Sequence, residues 1–152
     1  MARFRFRLEA SLQLAQQILE TAQLVYAQEL QRWQDCVQAC EVQRLRYEEA
    51  QEGQREAGRY RPDDLGVCQV FALKQWQQLL QYEAQQREQE LVLENARRCL
   101  LEAHREVEKY ERLKEKQAAA FKAAELQKEQ KVLDETGQVL HWLGKKSVSK
   151  VV

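Results

Sequence analysis

Residues 52–66 read Glu-Gly-Gln-Arg-Glu-Ala-Gly-Arg-Tyr-Arg-Pro-Asp-Asp-Leu-Gly. This stretch holds Gly53, Gly58 and Gly66 from the chain's 5 glycines, and Pro62, its 1 proline. Asp63 and Asp64 are available as helix caps. Glycine and proline are the strongest local breakers of regular structure, so the one credible turn falls here, over about 58–66. Tyr60 lies inside it and is expected to be exposed.

On the N-terminal side, every seventh residue from Leu12 is apolar: Leu12, Leu19, Tyr26, Trp33, Cys40, Tyr47. A second row, Leu8, Ala15, Ala22, Glu29, Cys36, Gln43, is offset from it by alternating steps of three and four. The two rows form one heptad seam. The second row decays toward Glu29 and Gln43, and Ile18, Val25, Leu30 and Val37 widen the stripe. A first helix over about 4–57 follows, roughly 75–80 Å long at 1.5 Å per residue.

On the C-terminal side the seam reads Leu79, Tyr82, Gln86, Gln89, Leu93, Ala96, Leu100, Ala103, Val107, Tyr110. It continues less cleanly through Lys114 and Gln117 to Phe121 and Ala124. A shift toward Leu126 and Leu133 suggests a stutter near 113–121. The second helix is expected over about 67–137, roughly 105 Å long, with a tail over 138–152. One turn between two long helices makes an antiparallel hairpin. The expected fold is therefore an all-α, two-helix antiparallel coiled coil forming a single domain of 152 residues.

The arms are unequal. Counting back from a turn near residue 61 sets Phe4 across from about residue 118, so the chain from Phe121 to Gly137 overhangs. Phe121, Leu126, Val132, Leu133, Val139, Leu140, Trp142 and Leu143 would then lack intrachain cover, as partner sites do. The competing reading is a frayed terminal tail. A two-helix hairpin buries little core for its length, so modest stability that rises on binding is expected. Helix pairs such as Glu94 with Arg98 and Glu108 with Arg112 add only about 0.2–0.5 kcal/mol each.

Composition bounds the function. Lys+Arg is 24 and Asp+Glu is 24, so the formal net charge is +0, which argues against a general nucleic-acid binder. Charged residues make up 32% of the chain and glutamines number 23, the usage of a long helix or coiled coil. The start Met1-Ala-Arg-Phe-Arg-Phe-Arg-Leu8 has no signal-peptide core, and no uncharged stretch reaches the ~18 residues of a membrane span. A soluble, cytoplasmic protein is expected. Arg3, Arg5 and Arg7 at one end, and Lys145, Lys146 and Lys150 at the other, read as solvated tails or as contacts for acidic lipid or protein.

No chemistry is encoded that we can assign. Cys36, Cys40, Cys68 and Cys99 contain no C-x-x-C pair, and His104 and His141 are far apart, so packed thiols in a reducing compartment are expected, with no metal or cofactor. Neither G-x-x-x-x-G-K-[ST] nor G-x-G-x-x-G occurs. Paired carboxylates such as Glu48-Glu49 sit on a solvated helix with no pocket to perturb them. The chain does not read as an enzyme. Near the turn, Tyr47, Phe71 and Trp76 are either core or a partner-facing patch.

The ends carry a resemblance. Phe4-Arg5-Phe6-Arg7-Leu8-Glu9, followed by Leu12 and Leu14, resembles the F-x-F-R-L-E-x-x-L start of the FliJ family. Lys109 to Lys116, Lys-Tyr-Glu-Arg-Leu-Lys-Glu-Lys, is similar to its E-x-L-K-E-[RK] segment, and Glu129 to Glu135 to its E-x-K-x-L-D-E motif. FliJ proteins belong to the bacterial flagellar type III export apparatus, and their coiled coil is similar to the gamma stalk of rotary ATPases. The resemblance implies a non-enzymatic stalk, peripheral at the cytoplasmic face of the membrane. Its implied partners are the hexameric export ATPase FliI, the export-gate protein FlhA and export chaperones. It also implies an ATPase contact at Arg5, Arg7, Arg112, Lys116, Phe121, Leu133, Asp134 and Glu135. The gate contact falls on Tyr47, Phe71, Trp76 and Leu80, with Gln51 standing where the family has a second tyrosine. A virulence-system stalk, a structural coiled-coil spacer and a substrate chaperone are the alternatives.

Overall fold

The computed structural model describes residues 2–150, with side chains to Ser147. The protein is an all-α hairpin: two long helices pack against each other. Helix α1 spans Glu9–Tyr60, a 3-10 turn spans Pro62–Asp64, and helix α2 spans Leu65–Lys150. The chain divides into two compact units. One is Gln16–Arg105; the other joins Met1–Ala15 to Glu106–Val152.

The first unit contains the turn, which is tighter than its glycine content suggests. Gly53 and Gly58 lie within α1 and Gly66 within α2, and no glycine has positive φ. Only Pro62 breaks the helix. It lacks an N–H, and its ring drives the preceding Arg61 out of the helical region, to φ −139° and ψ 67°. A glycine inside a helix costs only about 1 kcal/mol, which flanking packing absorbs. The reversal then closes through Arg61 N–H to Ala57 O (2.9 Å) and Asp64 N–H to Arg61 O (3.0 Å). The residues outside the two α-helices thus number four, Arg61 and the 3-10 turn Pro62–Asp64, rather than the nine over 58–66. Tyr60 is exposed.

Within this unit the buried and half-buried positions of α1 step by three and four without a break, from Tyr26 through Trp33, Cys40 and Tyr47 on one row and from Glu29 through Cys36, Gln43 and Ala50 on the other. On α2 the same alternation runs from Leu65 through Ala72, Leu79 and Ala96 to Ala103. Leu30 and Val37 are half-buried beside it, whereas Ile18 and Val25 stay exposed. The polar residues that weaken each row meet across the seam. Gln43, 1% exposed, donates from Nε2 to Gln75 O (3.0 Å) and to Gln75 Oε1 (2.8 Å). Gln89 Nε2 donates to Glu29 O (3.3 Å) and to a Glu29 carboxylate oxygen. Such polar layers satisfy each other and select one register over slipped alternatives. The Glu94–Arg98 pair is present at 3.9 Å.

The second unit departs from the expected continuous coiled coil. α1 begins at Glu9, not near residue 4, and residues 2–6 are non-helical. Arg-Phe-Arg-Phe-Arg alternates with period two, the pattern of extended chain with one covered face. Phe6 is buried and Phe4 half-buried, while Arg3, Arg5 and Arg7 are exposed. Phe4 packs on Phe121 as a tilted pair with ring centroids 5.6 Å apart. Phe121 is therefore covered within the chain, which corrects its expected place in the naked overhang. Glu9 and Lys114 pair at 2.9 Å, fixing the start of α1 against α2. The buried or half-buried positions of α2 in this unit are Val107, Glu108, Tyr110, Leu113, Lys114, Ala118, Phe121 and Glu125, of which Val107, Tyr110, Lys114, Ala118, Phe121 and Glu125 form the continuous row. Two successive steps of four, at 110–114 and 114–118, are the expected stutter. It rotates the seam where the extended segment takes over from α1.

Beyond Glu125, every residue from Leu126 to Ser147 is exposed, and the helix continues through the expected tail to Lys150. The basic side chain of Lys150 lies outside the described side chains.

Candidate functional sites

The terminal unit presents a single uncovered helix from Leu126 to Ser147, roughly 33 Å long at 1.5 Å per residue. Leu126, Val132, Leu133, Val139, Leu140, Trp142 and Leu143 are all between 51% and 70% exposed. Leu126, Leu133 and Leu140 fall in one row of period seven, set about 100° around the helix from covered Glu125. The uncovered apolar row is thus not a plain continuation of the seam that α1 and the extended segment cover. Val132 and Leu133 form an open apolar surface beside Lys128 and Glu129. Lys146 Nζ sits 4.1 Å from the Trp142 ring centroid, a cation–π contact.

The sequence-derived ATPase set is only partly gathered. Leu133, Asp134 and Glu135 are exposed on the uncovered helix. Arg112 and Lys116 are exposed one turn apart, Arg112 pairing with Glu108 at 3.8 Å. They lie about 32 Å and about 25 Å along α2 from Leu133 at 1.5 Å per residue. Phe121 faces Phe4, and Arg5 and Arg7 project from the outer side of the extended segment.

The set near the turn is divided. Tyr47 and Trp76 pack across the hairpin as a tilted pair with centroids 5.2 Å apart, and Tyr47 Oη accepts a hydrogen bond from Gln51 Nε2 at 2.7 Å. Trp76 is 41% and Leu80 43% exposed, one turn apart on α2. Phe71 lies on the opposite flank, in a groove of about 220 Å³ with Arg46, Glu49, Gly53, Cys68 and Gln75. Five residues separate Phe71 from Trp76, an angle near 140° around a helix, which is why proximity in sequence does not make one patch. The groove on the Phe71 side continues past Arg46 to Asp35, Val42 and Tyr82. Tyr82 is a seam residue expected from the sequence, whereas Asp35, Val42 and Arg46 were not singled out there. The signal for Arg46 was its position immediately before the seam residue Tyr47.

The cysteines are dispersed. All four are free; Cys40 is buried and Cys99 exposed. Burial pushes the Cys40 thiol above its ordinary pKa, with the Glu83 carboxylate and Cys36 adding to the rise and Arg44 opposing it. Among the described residues no group of three or more His, Cys, Asp or Glu is placed to hold a metal ion. Among them, too, no helix is long and apolar enough to cross a membrane. No family model matches the chain, and neither a curated protein nor a solved structure matches it.

Proposed function

We propose that this chain is a non-enzymatic stalk of a flagellar-type protein export apparatus. In this reading it promotes assembly of the hexameric export ATPase and couples that ring to the export gate. The observation that carries the proposal is the uncovered apolar helix from Leu126 to Ser147, which contains the Glu129–Glu135 motif. A lone helix is about 10–12 Å across with its side chains, narrow enough to enter the centre of a ring. Exposed apolar rows of this length are retained where a partner covers them.

In this reading Leu133, Asp134 and Glu135 contact the ATPase, with Arg112 and Lys116 at the rim and Arg5 and Arg7 beside them. Phe121 acts indirectly, by anchoring Phe4. At the turn end, Tyr47, Trp76 and Leu80 form the gate-facing patch. Phe71, on the other flank, is free to meet a different surface, such as an export chaperone. The protein is peripheral to the membrane through these partners. Adding the protein to the hexameric export ATPase should raise ATP turnover and the fraction of hexamer. Unchanged turnover and assembly would remove the proposal.

A further inference from the structure

The uncovered helix carries its own complement. Leu126, Leu133 and Leu140 are each followed three residues later by Glu129, Thr136 and Leu143, a second heptad seam separate from that of the hairpin. One flank of this seam reads Glu125, Val132, Val139, Lys146, also at period seven; Glu125, at its N-terminal end, is half-buried and pairs with Lys128 at 3.8 Å within the helix. The sequence of that flank is acidic, apolar, apolar, basic. Turned end over end, it faces itself with every position matched.

We propose that residues 122–147 of two copies pair as an antiparallel two-helix coil, making the free protein a dimer through this segment. With Leu126 layered on Leu143 of the second copy, Leu133 meets Thr136. The flank then sets Val132 against Val139 and Glu125 against Lys146, each contact occurring twice by two-fold symmetry. Thr136 suits an apolar layer because its hydroxyl already donates to Val132 O at 2.8 Å within the helix. Glu129 falls opposite Leu140 of the second copy, where its stem packs and its carboxylate reaches the edge. The parallel alternative is worse. It stacks Glu129 on Glu129 and Lys122 on Lys122 in the seam, placing like charges in contact. The exposed row thereby gains an occupant whose charge order is written on the segment itself. This inference stands apart from the ATPase reading: a dimer of this kind can form whether or not a ring exists.

Sedimentation equilibrium of the full chain tests it, with circular dichroism checking that each variant keeps its helicity. The unsubstituted chain should sediment as a dimer that dissociates on dilution. Glu125→Lys alone and Lys146→Glu alone should each weaken the dimer about fivefold to tenfold, because two surface pairs turn repulsive at once. The double swap, Glu125→Lys with Lys146→Glu, should restore the original dissociation constant. Leu133→Lys should weaken the dimer by more than either charge reversal. A chain that stays monomeric at every concentration overturns the proposal. So do single reversals without effect, or a double swap that weakens the dimer further.

Discussion

Replacing Gln43 by alanine should lower the unfolding free energy by about 2–3 kcal/mol. Gln43 is 1% exposed, and its Nε2 makes two hydrogen bonds across the seam, to Gln75 O at 3.0 Å and Gln75 Oε1 at 2.8 Å. Each is worth about 1 kcal/mol net, and loss of the packed side-chain carbons adds a further fraction. The two acceptors make the reasoning testable by a cycle. Gln75→Ala deletes only the Oε1 acceptor and leaves the backbone carbonyl, so it should cost about 1 kcal/mol. Once Gln43 is alanine, Gln75→Ala should cost little more, giving a coupling of about 1 kcal/mol. Urea unfolding followed by far-ultraviolet circular dichroism gives the four values, with an unchanged slope as the sign that the native fold is kept. Equal costs for the two single variants, or strict additivity, would refute the assignment of these bonds.

Other outcomes follow from individual side chains. Phe6→Ala should destabilise the terminal unit by about 2–3 kcal/mol, whereas Arg5→Ala, one residue away on the outer side, should cost less than about 0.5 kcal/mol; hydrogen exchange of residues 9–15 reports both. Cys99 should react with a thiol reagent well before Cys40, and equal rates would contradict the burial of Cys40. Because the Cys40 thiol is raised in the folded state, its contribution to stability is complete below the ordinary thiol pKa of about 8.5 and is lost as pH rises beyond that value. Cys40→Ala should flatten that alkaline loss in a pH series of urea midpoints.

The hairpin was legible because it rests on period and punctuation. Alternating steps of three and four survive glutamine and glutamate in the seam, and the buried positions of α1 follow the written rows. The stutter was legible for the same reason. Three features were not. The glycines near the turn looked like breakers, but only proline removes a donor and restricts its neighbour, so the helices close to within four residues of each other. The start Arg-Phe-Arg-Phe-Arg fitted a helical row loosely, yet its strict alternation belongs to extended chain, and Phe4 consequently covers Phe121. The polar seam residues read as weaknesses, because their bonding depends on which residue of the other helix stands opposite. That register, Gln43 with Gln75 and Glu29 with Gln89, is a tertiary property.

The candidate sites were legible in kind and less so in membership. An overhang of apolar residues follows from unequal arm lengths alone. Which residues share a face follows from the 100° step between helix positions, which separates Phe71 from Trp76, and from the Phe4 contact, which sets Phe121 apart from Leu133.

The central claim, that the uncovered helix is the arm acting on a ring ATPase, is tested most directly by shortening it. The full chain and a chain ending at Phe121 should be titrated separately into the hexameric export ATPase while ATP turnover is measured. The full chain should raise turnover, and the shortened one should leave it at its basal rate while keeping the Phe4–Phe121 contact and its helicity per residue. Equal stimulation by both chains, or none by either, would contradict the account.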